Sequence, residues 1–194
     1  MALPALTTPS TGARATRLYF TGASCAGVTT LGRAVARRLG LRHVDVDAFY
    51  WAPTDPPYTV KNSPEQRVAG IAGALGADGW VLTGAFDGWG DALIADVDLI
   101  VFVATDTALR MERLAARERQ RHGARIDPGG DMHAAHLAFR RWAEGYDTPG
   151  FDGRNRARHE AWLARQRAPV LRADGADALD DLVARVLDAL TGLA

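Results

Sequence analysis

Apolar residues fall along the chain in short, nearly unbroken runs at 18–21, 43–46, 80–83, 99–103 and 169–171. Runs of that length predict strands covered on both faces. Between them, apolar positions recur every three or four residues, which predicts helices at about 30–39, 64–75, 107–121, 132–145, 156–166 and 179–190. Ser63 before Pro64 marks one helix start, with a hydroxyl to cap free N–H groups and a proline where no N–H is needed. Alternating strand and helix predict an α/β fold with a parallel five-stranded sheet and helices on both faces. Residues 1–15, with Pro4, Pro9 and Gly12 among threonines, show no periodicity and read as a flexible tail, leaving 16–194 as a single domain. The irregular connections at 48–63 and 122–130 are long, and long loops in compact domains often carry function.

Composition narrows the function classes. With 194 residues and 47% apolar content the chain can bury one substantial core. Acidic and basic residues balance at 23 each, so no global field draws in nucleic acid, and an anion site must come from local clustering. Lys61 is the only lysine and Cys25 the only cysteine. An internal disulfide and a thiolate metal cage are thereby excluded, and a reducing cytoplasm is expected. No stretch of about 18 apolar residues occurs, so no membrane association is expected.

The candidate chemistry begins at Gly22-Ala23-Ser24-Cys25-Ala26-Gly27-Val28-Thr29-Thr30, which follows a predicted strand and opens a predicted helix. Four residues separate the glycines and a hydroxyl stands two places after the second, which is the P-loop pattern except at one position. Glycines let successive N–H groups turn inward around a phosphate, and the helix start adds its own N–H groups and dipole. Thr29 is placed to ligate Mg²⁺. Position 28, where the pattern has lysine, is valine. A charge-assisted contact is worth roughly 1.5–3 kcal/mol, so the change corresponds to about ten- to hundred-fold in binding or rate unless another cation replaces it. Three readings stay open: a replacement cation, a site that no longer catalyses, or a plain structural turn.

Other groups can complete a site. Asp45 and Asp47 close the second strand, where parallel sheets collect ligands; one suits Mg²⁺ and the other an acceptor hydroxyl, unless both are a solvated strand end. After the third strand, Gly84 would let backbone approach a ligand, and Asp87 is a further acid in the same loop. Trp51, Tyr58, Phe86 and Trp89 read equally as an acceptor pocket or as core beneath the loops. Arg110, Arg113, Arg117 and Arg121 form a helical stripe, of which Arg117 and Arg121 are the phosphate candidates beside the 123–130 loop. Arg154, Arg156 and Arg158 precede another helix. Lys61 follows the acidic pair and is read as a surface lysine or a phosphate contact. His133 and His136 lack a third metal ligand in the pattern.

Three patches, Gly22 to Thr30, Asp45 to Asp47 and the arginine-bearing segment 109–117, resemble those of the P-loop kinases related to adenylate kinase and shikimate kinase. The resemblance implies a three-layer P-loop NTPase fold with a helical lid at about 117–132 and an acceptor region at about 48–76. It implies ATP with Mg²⁺ as donor, Thr29 and Asp45 on the metal, and Asp45, Asp47, Arg117 and Arg121 in catalysis. Residues 22–30 would hold the nucleotide, and Trp51, Lys61, Gly84, Asp87 and Trp89 the acceptor. The expected partners are a nucleoside triphosphate and a small molecule, with no nucleic acid or membrane, in a monomer or homodimer. The family's loop lysine has no counterpart at Val28. The expected activity is phosphoryl transfer to a small-molecule or nucleotide acceptor, with a non-catalytic nucleotide sensor or an NTP hydrolase as the alternatives.

Overall fold

The apolar runs lie side by side in one parallel sheet. In the computed structural model, which describes residues 15–86 and 88–193, the strands are β1 (Arg17–Gly22), β2 (Arg42–Asp45), β3 (Trp80–Thr83), β4 (Leu99–Ala104) and β5 (Val170–Asp174), in the order β2-β3-β1-β4-β5. The helices are α1 (Val28–Leu39), α2 (Asp47–Tyr50), α3 (Pro64–Leu75), α4 (Thr107–His122), α5 (His133–Glu144), α6 (Arg156–Leu163) and α7 (Leu179–Thr191). Apart from Ala15, the expected tail lies outside the described residues, as does Asp87.

Strand β1 is central, pairing with β3 on one side and β4 on the other. Its side chains alternate between two cores, as strand geometry requires. Leu18 and Phe20 face Leu31 and Val35 of α1 and Leu182 and Val186 of α7. Tyr19, opposite Leu82 and Ile100 on its neighbours, joins Ile71 and Leu75 of α3 and Leu163 of α6 on the other face. Each fully buried side chain of this size is worth about 1.5–3 kcal/mol, so the strand that delivers residue 22 to the site is anchored from both faces. Helix α1 lies so close to β3 that a Cβ at Gly32 would sit 2.2 Å from the Thr83 methyl.

The predicted elements are all present, and the described residues add the single turn α2 and three short 3-10 turns. Strand β2 stops at Asp45, and Asp47 opens the single turn α2, so the two carboxylates are brought together by a turn and not by alternation along a strand. Ser63 caps α3 as expected: its hydroxyl accepts from the Gln66 N–H, and the Gln66 side chain accepts from the Ser63 N–H. No helix among the described residues is long and apolar enough to cross a membrane.

Candidate functional site

At the end of β1, a side chain on Gly22 would meet the Val103 carbonyl at 2.4 Å and Val28 Cγ2 at 2.9 Å. The chain then turns with Cys25 at φ +63° and Gly27 at φ +102°, and the Ala26 N–H donates to the Ala23 carbonyl at 3.2 Å. Such left-handed positions aim consecutive N–H groups into one concavity. Helix α1 starts from Gly27 with no side-chain cap and no acid in its first turn, which leaves its leading N–H groups and positive dipole end to an anion.

The back of this loop is braced. Thr105 Oγ1 donates to the Ala26 carbonyl at 2.9 Å, while Arg113 reaches the same oxygen at 3.5 Å and the Gly175 carbonyl at 2.9 Å. Gly175 is packed so tightly that a Cβ there would lie 2.2 Å from the Ala26 oxygen. Val28 is 8% exposed and belongs to the core formed by β1, α1 and β4. Ala23 and Ala26 are also buried, whereas Ser24, Cys25 and Thr30 keep contact with solvent.

The acidic pair adjoins the loop. Thr29 Oγ1 donates to Asp45 Oδ2 at 3.1 Å, and the Asp47 N–H donates to Asp45 Oδ1 at 3.1 Å. A hydroxyl beside a carboxylate is a donor set that suits Mg²⁺. Asp47 is exposed, yet its surroundings raise its pKa, first by desolvation and then by the charge of Asp45; Arg154, Arg117 and Arg121 oppose the shift. The Cys25 thiol is likewise pushed up by burial, with Arg117 the leading opposing charge.

The arginine stripe of α4 divides by depth. Arg110 is fully buried and holds Asp147 at 2.8 Å, together with the carbonyls of Thr105 and Ala143. Arg113 braces the phosphate loop. Arg117 and Arg121 are the two whose charges act on both Cys25 and Asp47; the Nε of Arg117 is buried with no hydrogen-bond partner. The 117–132 segment runs through the end of α4, a 3-10 turn at Gly123–Ile126 and the approach to α5. Its Arg125 pairs with Asp131 at 2.6 Å and Asp55 at 2.8 Å, linking it to the loop after α2.

Arg154 sits where these parts meet. Its Nη2 donates to Ser24 Oγ at 3.3 Å, its guanidinium lies 5.1 Å from the Trp142 ring, and its Nε is buried without a partner. Its charge is felt at Asp47, Tyr146 and His159. Beside it opens a cavity of about 560 Å³, walled by Tyr19, Phe86 and Trp162 and floored by Thr21 and His159. His159 bridges Thr21 Oγ1 (3.1 Å) and the Tyr146 hydroxyl (2.9 Å). Burial lowers the His159 pKa to about 4, with Arg154 adding to the effect, and burial pushes Tyr146 up to about 12. Both are therefore neutral near pH 7.

The expected acceptor residues separate. Gly84, at φ +130°, accepts from the Tyr19 hydroxyl at 2.8 Å and leads into the cavity's Ala85–Phe86 edge. Trp89 packs edge-on against Phe86 (5.2 Å) beneath Arg67 and does not line the cavity. Trp51 and Lys61 pair with each other through an isolated β-bridge, the ammonium lying 5.6 Å from the Trp51 ring and 5.7 Å from the Tyr50 ring. His133 contacts the Ile126 carbonyl and His136 lies 3.7 Å from Glu118; no group of three acidic, histidine or cysteine residues among those described is arranged to hold a metal. The periodicity gives no hint of His159, Trp162 or Arg165, and Arg154 is visible in it only as one arginine among three before a helix.

No protein-family model matches the chain. Its fold is that of a sugar kinase from Janibacter sp. HTCC2649, at a TM-score of 0.53 and 16% identity over 93% of this chain and 98% of that one. A gluconokinase from Sinorhizobium meliloti 1021 superimposes with a TM-score of 0.52 at 18% identity, over 93% and 94% of the two chains. The architecture is thus the P-loop small-molecule kinase fold. The "Uncharacterized protein YqaC" of Bacillus subtilis (strain 168) is 38% identical over 175 residues, covering 90% of this chain and 97% of the relative. At that identity across almost the whole of both chains, the protein belongs to the same family as YqaC.

Proposed function

We propose that the protein is an ATP-dependent phosphotransferase acting on a small-molecule acceptor, with Arg154 supplying the cation that Val28 does not. The observation that carries this reading is the contact of the Arg154 guanidinium with Ser24 inside the phosphate loop. That guanidinium lies near Asp47 and borders the cavity, so it can serve donor and acceptor sides together. The kinase folds of the sugar kinase and the gluconokinase support the same reaction class.

In this mechanism the N–H groups of residues 22–30 and the start of α1 cradle the phosphates. Thr29 and Asp45 hold Mg²⁺, which when bound neutralises phosphate charge. Asp47 accepts the proton of the acceptor hydroxyl; its raised pKa makes it a stronger base than an ordinary aspartate. The acceptor oxygen bonds to the γ-phosphorus as the bond from that phosphorus to the bridging oxygen breaks, and the electron pair leaves on ADP. Arg154 and Arg117 counter the charge on the transferring group.

The test is ADP formation from Mg·ATP with a panel of sugars, sugar acids, nucleosides and nucleotides. Acceptor-dependent ADP is expected. ADP released equally in buffer alone would make the protein an NTP hydrolase, and ATP binding with no ADP under any condition would make it a nucleotide sensor.

A further inference from the structure

One buried carboxylate, close enough to the phosphate loop for its charge to reach Cys25, is ringed by nitrogens that stop short of it. Glu118 of α4 is 7% exposed. Its Oε1 lies 3.6 Å from Nη2 of Arg117, and its Oε2 lies 4.0 Å from Nε2 of His122 and 3.7 Å from Nδ1 of His136. All three separations exceed hydrogen-bond length. Both histidine nitrogens, and Nε of Arg117, are buried with no hydrogen-bond partner among the described residues. A buried carboxylate without hydrogen bonds is costly, so stability alone does not account for the cluster.

The groups facing Glu118 come from several elements. Arg117 and His122 share its helix, His136 comes from α5, and the Cys25 thiol from the phosphate loop. Tyr58, in the loop after α2, meets the His122 ring edge-on at 6.0 Å, and the Arg117 guanidinium lies 5.7 Å from the Phe139 ring of α5. Other cations of this region are engaged elsewhere: Arg119 with Asp127, Arg125 with Asp131 and Asp55, and Arg113 with backbone carbonyls. Arg121 acts on the Cys25 thiol together with Arg117. That thiol is an internal gauge of the loop, because there the charge of Arg117 favours an anion and the charge of Glu118 opposes it. A phosphate seated on the loop is an anion in the same place, so Glu118 subtracts from what Arg117 contributes.

We infer that Glu118 is a proton-released brake on Arg117: with His122 and His136 neutral, the carboxylate holds the guanidinium and weakens phosphate binding, and once protonated the two rings claim the carboxylate and free Arg117. The brake rests on the nucleotide reading of the phosphate loop. Histidine is the side chain that changes charge between about pH 5 and pH 8, and each ring has only about 1 Å to close before it hydrogen-bonds the carboxylate. Protonation of both rings takes the Arg117–Glu118–His122–His136 cluster from zero net charge to two positive charges, which strengthens the field that draws an anion to the loop. Glu118 and the two histidines act through Arg117 and are positioning residues.

The experiment measures Mg·ATP affinity of the full-length protein by calorimetry at about pH 8 and about pH 6. It compares the wild type, the isosteric Glu118→Gln, and His122→Gln combined with His136→Gln. Titration of ATP itself, and of every other group, is common to the three proteins and cancels between them. The wild type should gain about three- to tenfold over the double histidine variant on going to the lower pH. Glu118→Gln should already bind more tightly than the wild type by about the same factor at the higher pH, where loss of a merely structural residue would weaken binding. A second readout needs no nucleotide: Cys25 is the only thiol, and its alkylation by iodoacetamide should be about two- to tenfold faster in Glu118→Gln and slower in Arg117→Ala. Circular dichroism verifies each fold. Equal pH dependence in the wild type and the double histidine variant, or weaker binding by a folded Glu118→Gln, would overturn the brake while the nucleotide reading stands. Absence of Mg·ATP binding to the wild type at both pH values would remove that reading, and with unchanged Cys25 labelling the brake as well. Labelling that still follows Glu118 and Arg117 would uphold their opposition for whatever anion the loop takes.

Discussion

Val28 is the residue on which the phosphate loop departs from its pattern, and its surroundings set what a lysine would do there. The side chain is packed among β1, α1 and β4 against Gly22, so Val28→Lys removes buried aliphatic contact and drags a charged stem past the core. A loss of about 1–2 kcal/mol, or a fall of roughly 2–8 °C in Tm, is expected by thermal denaturation, with no gain in turnover because Arg154 already stands at Ser24. Asp47 carries the converse prediction. Its folded-state pKa is raised, so its charge disfavours folding once the pH exceeds the unfolded value. Asp47→Asn should therefore stabilise the fold near pH 7, with the difference vanishing at low pH, while kcat falls about 10²- to 10⁴-fold. A stabilised variant that kept full kcat would remove Asp47 from catalysis. His159 titrates oppositely. It folds neutral, with a pKa lowered to about 4 from 6.5, so the stability present above pH 6.5 is lost as pH falls toward 4. The shift amounts to about 3 kcal/mol, and His159→Gln should flatten that limb of the stability profile measured by urea unfolding.

At the level of elements, the phosphate loop is as much a product of β4 and β5 as of its own glycines. The carbonyl of Ala26 is held by Thr105 and Arg113, and Gly175 closes on it from the end of β5. Gly175→Ala places a methyl where 2.2 Å is available to two oxygens, so the β5–α7 turn must retreat. Nucleotide affinity is expected to fall at least tenfold with helix content unchanged by circular dichroism, and unchanged affinity would mean the brace is dispensable. The sequence shows this loop well, because glycine spacing, the Thr29 hydroxyl and the strand–helix flanks are local facts. The strands and helices are legible for the same reason, as hydrophobic period is read within a few residues. The turn α2 is not, since four residues are too few to show a period, and it is this turn that sets Asp47 beside Asp45. Nor is the contact of Arg154 with Ser24, which spans 130 positions and depends on how the 145–155 connection folds back over the loop. The α4 arginines illustrate both cases: their stripe is visible, but burial of Arg110 against Asp147 and the bracing role of Arg113 arise only from packing.

Across the whole molecule, a chain of zero net charge still builds a local positive field by leaving particular arginines unpaired. Among the described residues eight arginines lie within 4.0 Å of a carboxylate, and such pairs on the surface add little to stability. Arg154, with its Nε buried and unpartnered and its Nη2 on Ser24, is left beside the loop at the start of α1 with its charge acting on Asp47. The parallel sheet makes this possible by delivering the phosphate loop, the acidic pair and the Gly84 turn to one edge. The central claim is that this edge binds nucleotide with Arg154 in place of the loop lysine. Calorimetric titration of Mg·ATP into the wild type and the Arg154→Gln variant tests it most directly. The account predicts saturable binding to the wild type, weakened about ten- to hundred-fold in the variant. Absence of binding to the wild type at millimolar nucleotide, or equal affinity in the two proteins, would contradict it.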